Sequence, residues 1–178
     1  MAEQVKALEK IDAQGLEDLR EKVKEKPEAA RRTLKARTVC EGAVVNHTYV
    51  RDLDPMVIDE PPNLLGTDTA PNPSEAALAA LGSCISVGLM SNATARGVTL
   101  YEISIELEGD IDTGAVWGTG NTGEDVSAGF TAVRVKTTLK GDASPEELAD
   151  MEKTAVKWSP VVNTFTNPVA FSTEVETG

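Results

Sequence analysis

Cys40, Cys84, His47 and Ser159 are the side chains whose chemistry could go beyond packing. A cysteine is a useful nucleophile only as its thiolate, which needs nearby cations, helix dipoles or a site built to hold it. Cys84 lies inside an uncharged apolar stretch, where a cysteine by itself reads as a small core residue. A structural zinc site takes about four nitrogen or sulfur ligands at close spacing, and Cys40, Cys84 and His47 cannot make one. No metal or other cofactor is therefore implied. His47 is the single histidine, sits in a predicted strand and reads as a structural or surface residue. Hydrolysis by Ser159 lacks a placed histidine base. Residues 118–123, GTGNTG, match G-x-G-x-x-G, but a polar stretch and a strand follow instead of the helix that would face a pyrophosphate, so a hairpin loop is expected.

The elements that must position these residues are legible in the spacing. Residues 3–26 place Val5, Leu8, Ile11, Leu16, Leu19 and Val23 on one face of an amphipathic helix, interrupted near Gly15 and ended by Pro27. Residues 37–60 read as two or three strands, and 59–73, with four prolines, as a fixed exposed loop. Asn72, Pro73 and Glu75 form a capping-box start for a helix running to about Arg96. From Ala76 to Ala95 there is no charge, a length that invites a membrane span. Its Gly, Ser, Asn and Thr content points instead to a central helix buried on all sides.

Beyond Gly97, Tyr101, Ile103, Ile105 and Leu107 alternate with Glu102, Ser104, Glu106 and Glu108. In Phe130–Lys140, Val133, Val135, Thr137 and Leu139 alternate with Arg134, Lys136, Thr138 and Lys140. An acidic face beside a basic one predicts an antiparallel pair, since cross-strand opposite charges contribute about 0.2–1 kcal/mol each. Ser144-Pro145-Glu146-Glu147 opens a second helix carrying Leu148, Met151, Ala155 and Trp158 on one face and stopped by Pro160. Val169, Phe171, Thr173 and Val175 alternate as a last strand. This order of elements argues for an α+β fold.

The 178 residues, 40% hydrophobic and 26% charged, fit one globular domain and exclude collagen-like or disordered chains. A net charge of −12 repels nucleic-acid backbones, which excludes a nucleic-acid partner. Residues 1–36 carry nine cations and eight acids, the rest eight cations and 21 acids, so a near-neutral arm precedes an acidic body. The first residues lack the apolar run of a secretory signal, and the expected setting is the cytoplasm, away from membranes, with both cysteines reduced at rest.

Four segments together resemble the OsmC/Ohr family: Asp59-Glu60-Pro61, Leu65-Gly66-Thr67-Asp68, Pro71-Asn72-Pro73-Ser74-Glu75 and Ala79-Ala80-Leu81-Gly82-Ser83-Cys84. The likeness extends from about residue 37 to 176, leaving 1–36 as a charged helical arm on an OsmC-like domain. It implies antiparallel sheets around two long central helices in an intertwined homodimer, with active sites at the interface. It also implies reduction of organic hydroperoxides or hydrogen peroxide: a first cysteine becomes a sulfenic acid, a second condenses with it, and an external thiol resets the site.

Cys84 stands at the first cysteine, and Glu75 matches a glutamate that helps hold its thiolate. The second cysteine falls at Ser159, which cannot resolve a sulfenic acid. The family's arginine has no match at Glu41-Gly42-Ala43, leaving Arg37, Arg51 or Arg96 open for its role. Nine residues at about 100° each put Glu75 and Cys84 on opposite helix faces about 13 Å apart, so cooperation requires a second chain or a helix break near Gly82. The resemblance thus implies a thiol peroxidase with one reacting cysteine. The alternative is a non-catalytic dimeric binding or scaffold protein in which Cys84 is structural.

Overall fold

A computed structural model of the chain describes residues 6–119 and 128–178. Helix α1 spans Ala13–Glu25, later than the spacing predicts, because Asp12 caps it by accepting the Gln14 N–H at 3.1 Å. The residues before it run extended along the body: the Leu8 N–H donates to Leu100 O (2.8 Å) and Lys10 Nζ to Gly97 O (3.1 Å).

Strands β1 (Arg37–Gly42), β2 (Val45–Tyr49) and β3 (Met56–Ile58) form an antiparallel meander with β2 central. The proline-rich loop that follows is organised around one carboxylate. Asp59 is fully buried and accepts hydrogen bonds from the backbone of Glu60, Thr67 and Thr69 and from both threonine hydroxyls, at 2.6–3.2 Å. Gly66 is required within it, since a Cβ there would lie 1.8 Å from Glu60 O. The loop is fixed, as expected, by Asp59, which the sequence marks only as part of a family-like segment and not as an anchor.

Helix α2 (Pro73–Arg96) has its predicted capping box: Asn72 Oδ1 accepts the Glu75 N–H (2.8 Å) and Glu75 Oε2 accepts the Asn72 N–H (2.9 Å). It ends at Gly97 in the left-handed region (φ 75°). By length and composition α2 could span a membrane. Its Leu81, Ile85, Leu89 and Ala93 instead form a core with Leu100, Met151 and Ala155. The expectation of burial on all sides holds for one face only. Ser83 and Val87, on another face, are exposed, because nothing among the described residues covers them.

Strands β4 (Leu100–Ile111) and β5 (Phe130–Gly141) pair antiparallel, with the short helix α3 (Thr113–Val116) in the connection read as a plain loop. Most of the G-x-G-x-x-G stretch lies outside the described residues. The outer face carries the expected charge ladder: Glu102 with Lys140, Glu106 with Lys136 at 2.8 Å, and Arg134 between Glu108 (2.9 Å) and Asp110 (2.6 Å). Ile103, Ile105 and Leu107 pack inward on the core.

Helix α4 (Pro145–Lys157) is capped by Ser144, which accepts the Glu147 N–H at 3.2 Å. Pro160 does more than stop it. A proline at the first helical position, after a serine cap, opens a further helix, α5 (Pro160–Thr166). The last strand predicted over 169–176 does not form. The segment carries strand alternation but has no ladder partner among the described residues, and Phe171 and Val175 stand 89% and 80% exposed. The architecture is α+β, with antiparallel sheets and helices.

Leu89 is 0% exposed at the centre of the α2–α4 packing. Leu89→Ala is expected to cost about 2–5 kcal/mol in denaturant unfolding, from lost transfer energy and the cavity left behind. A loss under 1 kcal/mol would place the core elsewhere.

A candidate thiol site at the α2–α4–α5 junction

Contacts between α2 and the α4–α5 segment run in opposite chain directions. Arg96 meets Asp150 at 2.8 Å, a Cβ added at Gly88 would touch Ala155 Cβ at 3.1 Å, and Cys84 meets Ser159. Glycine at 88 and alanine at 155 let the two helices approach closely. One helical turn back from Gly88 and one turn on from Ala155 are Cys84 and Ser159, so the close crossing brings them together.

Ser159 Oγ donates to Cys84 Sγ at 3.1 Å and accepts the Val162 N–H at 3.1 Å as the cap of α5. Ser159 is 3% exposed and Cys84 is half-buried. Asn163 ties the turn by donating its Nδ2 to Lys157 O (3.0 Å) and Ser159 O (2.8 Å). Trp158 stands exposed beside it, its ring 5.0 Å from Lys157 Nζ.

Two spaces flank the cysteine along α2. Ser83, together with Ala79, Gly82, Val87 and Ile105, lines an open groove of about 500 Å3. Ile85, with Leu81, Val133, Val162 and Phe165, lines a more enclosed apolar cavity of about 290 Å3.

The other residues singled out from the sequence lie apart. Glu75 spends its carboxylate on the capping box, and no hydrogen bond joins it to Cys84 among the described residues. Arg96 pairs with Asp150, Arg37 stacks on Tyr49 with its guanidinium carbon 4.7 Å from the ring centroid, and Arg51 sits in an exposed turn. None of the three is joined to the sulfur. Cys40 is exposed on β1, its Sγ 3.8 Å from Ala43 O. His47 Nδ1 lies 3.7 Å from Glu41 in the same sheet.

Sequence reasoning missed the Val162 amide and Asn163, which fix Ser159. The signal available for them was Ser-Pro, a capping pair that opens a helix.

No curated protein matches the chain. Among solved structures, an OsmC-like protein from Mycoplasma pneumoniae superposes with a TM-score of 0.64 at 17% identity, covering 76% of this chain and 88% of that one. An organic hydroperoxide resistance protein OsmC from Legionella pneumophila, described as a predicted redox protein and regulator of sulfide bond formation, gives 0.57 at 21% identity, covering 76% and 90%. An organic hydroperoxide resistance protein from Elizabethkingia anophelis, with thiocyanate bound, gives 0.54 at 18% identity, covering 75% and 88%. These likenesses establish the fold. The OsmC-like protein family matches residues 66–174, more than half of the chain and the part that holds both Cys84 and Ser159, and the chain belongs to that family.

Proposed function

We propose that the protein is a thiol-dependent peroxidase in which Cys84 is the one peroxidatic cysteine and organic hydroperoxides or hydrogen peroxide are the substrates. The observation that carries this reading is the sulfur of a half-buried cysteine held by a buried hydroxyl 3.1 Å away, where α2 crosses the α4–α5 turn. Structural neighbours described as organic hydroperoxide resistance proteins support the substrate class.

In the first step Cys84 sulfur attacks the peroxide oxygen and the O–O bond breaks: Cys84–SH + ROOH gives Cys84–SOH + ROH. Ser159 has no thiol to condense with the sulfenic acid, and Cys40 lies on β1, its Sγ beside Ala43 O and not joined to Cys84. An external thiol R′SH therefore forms Cys84–S–S–R′ and water, and a second R′SH releases R′SSR′ and restores the thiol. A reducing compartment such as the cytoplasm supplies that thiol.

A homodimer belongs to the same proposal. The exposed face of α2 and β4, the separate β1–β3 sheet and the strand-like tail after residue 168, unpaired among the described residues, are the surfaces that a second copy would cover. Glu75 would enter the chemistry only across that interface. Light scattering at micromolar concentration should give twice the 18.9 kDa chain mass, and a monomer would contradict it.

One observation favours the non-catalytic reading: the sulfur's hydrogen-bond partner in this chain is a neutral hydroxyl and not a guanidinium. Cys84→Ser decides between the two. Hydroperoxide consumption with monothiol or dithiol reductant is expected to fall at least about 100-fold, since the nucleophile itself is removed. Equal, negligible rates in wild type and variant would leave a binding or scaffold protein.

A further inference from the structure

Ser159 occupies a place where its hydroxyl has one direction left in which to donate. Its oxygen accepts the Val162 N–H, its backbone carbonyl accepts from Asn163, and its side chain is 3% exposed. With the oxygen engaged as an acceptor and water excluded, the hydroxyl proton points at Cys84 Sγ, 3.1 Å away. Such a buried donor is fixed before any charge develops on its partner, so it interacts with that charge at little reorganisation cost. The Ser-Pro cap thus performs two tasks with one oxygen: it starts α5 and it aims a proton across to α2.

We infer that Ser159 is a positioning residue for Cys84, holding the sulfur and whatever negative charge it carries through a hydrogen bond fixed by the start of α5. The inference rests on Cys84 being the reacting group of the proposed function, and it assigns Ser159 a part beyond standing where a second cysteine is absent. It accounts for a sulfur that has no cation joined to it among the described residues.

The test is the alkylation rate of Cys84 by iodoacetamide at neutral pH, which involves no peroxide. A Cys40→Ser background leaves one thiol to label. Ser159→Gly removes the hydroxyl while costing the cap only a few tenths of a kcal/mol. It is expected to slow alkylation about ten-fold, the scale of a hydrogen bond to a charged group. Ser159→Ala removes the same hydroxyl and should agree, provided circular dichroism shows a folded chain. Ser159→Thr keeps donor and cap and should stay within about two-fold of wild type. Ser144→Ala deletes the corresponding cap on α4, far from Cys84, and should change nothing. Wild-type alkylation rates in folded Ser159→Gly, or equal slowing by Ser144→Ala, would overturn the inference. Slowing in Ser159→Gly beside absent peroxide turnover in wild type would keep it and sink the peroxidase reading alone.

Discussion

If Cys84 is the peroxidatic cysteine proposed above, Ser159→Cys is expected to make the site self-resolving instead of dependent on an external monothiol. The Ser159 oxygen and Cys84 sulfur are already 3.1 Å apart, so a larger sulfur at position 159 needs a shift of about 1 Å to reach the 2.05 Å bond length. After one equivalent of hydroperoxide, the sulfenic acid at Cys84 condenses with the new thiol and expels water. Thiol titration should then find Cys40 alone free. Reductant preference should move from monothiols to dithiols, which reduce an intramolecular disulfide efficiently through ring closure.

The bond would close a loop across 75 positions, and the chain-entropy relation gives about 4 kcal/mol of added stability to the oxidised form. Oxidised and reduced variant should therefore differ clearly in urea midpoint, while wild type shows no such difference. Persistence of both thiols in a folded, peroxide-treated variant whose Cys84 is shown to form the sulfenic acid would mean that Cys84 and position 159 do not meet in solution.

The second large effect is expected at Asp59. Five donors converge on this buried carboxylate, from Glu60, Thr67 and Thr69, and they hold its pKa well below the usual carboxylate range, the Thr67 hydroxyl most strongly. Because the folded value is depressed, the carboxylate's contribution to stability is complete above the unfolded value of about 3.9. It is lost as pH falls below that toward the folded value.

Asp59→Asn replaces an acceptor oxygen with an NH2 that faces other donors, so part-buried N–H and O–H groups of Thr67 and Thr69 lose their acceptor. Loop 59–71 then loses its anchor, and with it the fixed entry to Asn72 and the start of α2. Limited proteolysis should cut the variant within this loop under conditions where wild type is resistant. The difference in melting temperature between wild type and variant should be largest above about pH 5 and shrink toward pH 2. A difference independent of pH would show that the charge on Asp59 does not stabilise the loop.

Local features of the fold were legible in the sequence. The Asn72–Glu75 box, the Ser144 cap and the facing acidic and basic strand surfaces are set by residues within one turn or one hairpin, and all appear as read. Features that depend on distant partners were not. Residues 169–176 alternate correctly for a strand, yet a strand exists only where a neighbour accepts its hydrogen bonds, and this chain provides none there among the described residues.

The start of α1 was displaced because Asp12 is a stronger cap than the hydrophobic spacing upstream could reveal. At the site, Cys84 and Ser159 were each identifiable through family resemblance, but their contact comes from the Gly88–Ala155 crossing, a tertiary feature between small residues that no spacing rule announces. Glu75 shows how one residue type supports two readings. Its position fits both a capping residue and a thiolate partner, and within the chain its hydrogen bonds are those of the cap.

Whether Cys84 reacts with peroxide is read by peptide mass spectrometry after one equivalent of an organic hydroperoxide in the presence of dimedone. A sulfenic-acid adduct is expected on Cys84, formed ahead of any on the exposed Cys40 and replaced by a mixed disulfide when a monothiol is present. An unmodified Cys84 beside an oxidised Cys40 would rule out a peroxidatic Cys84.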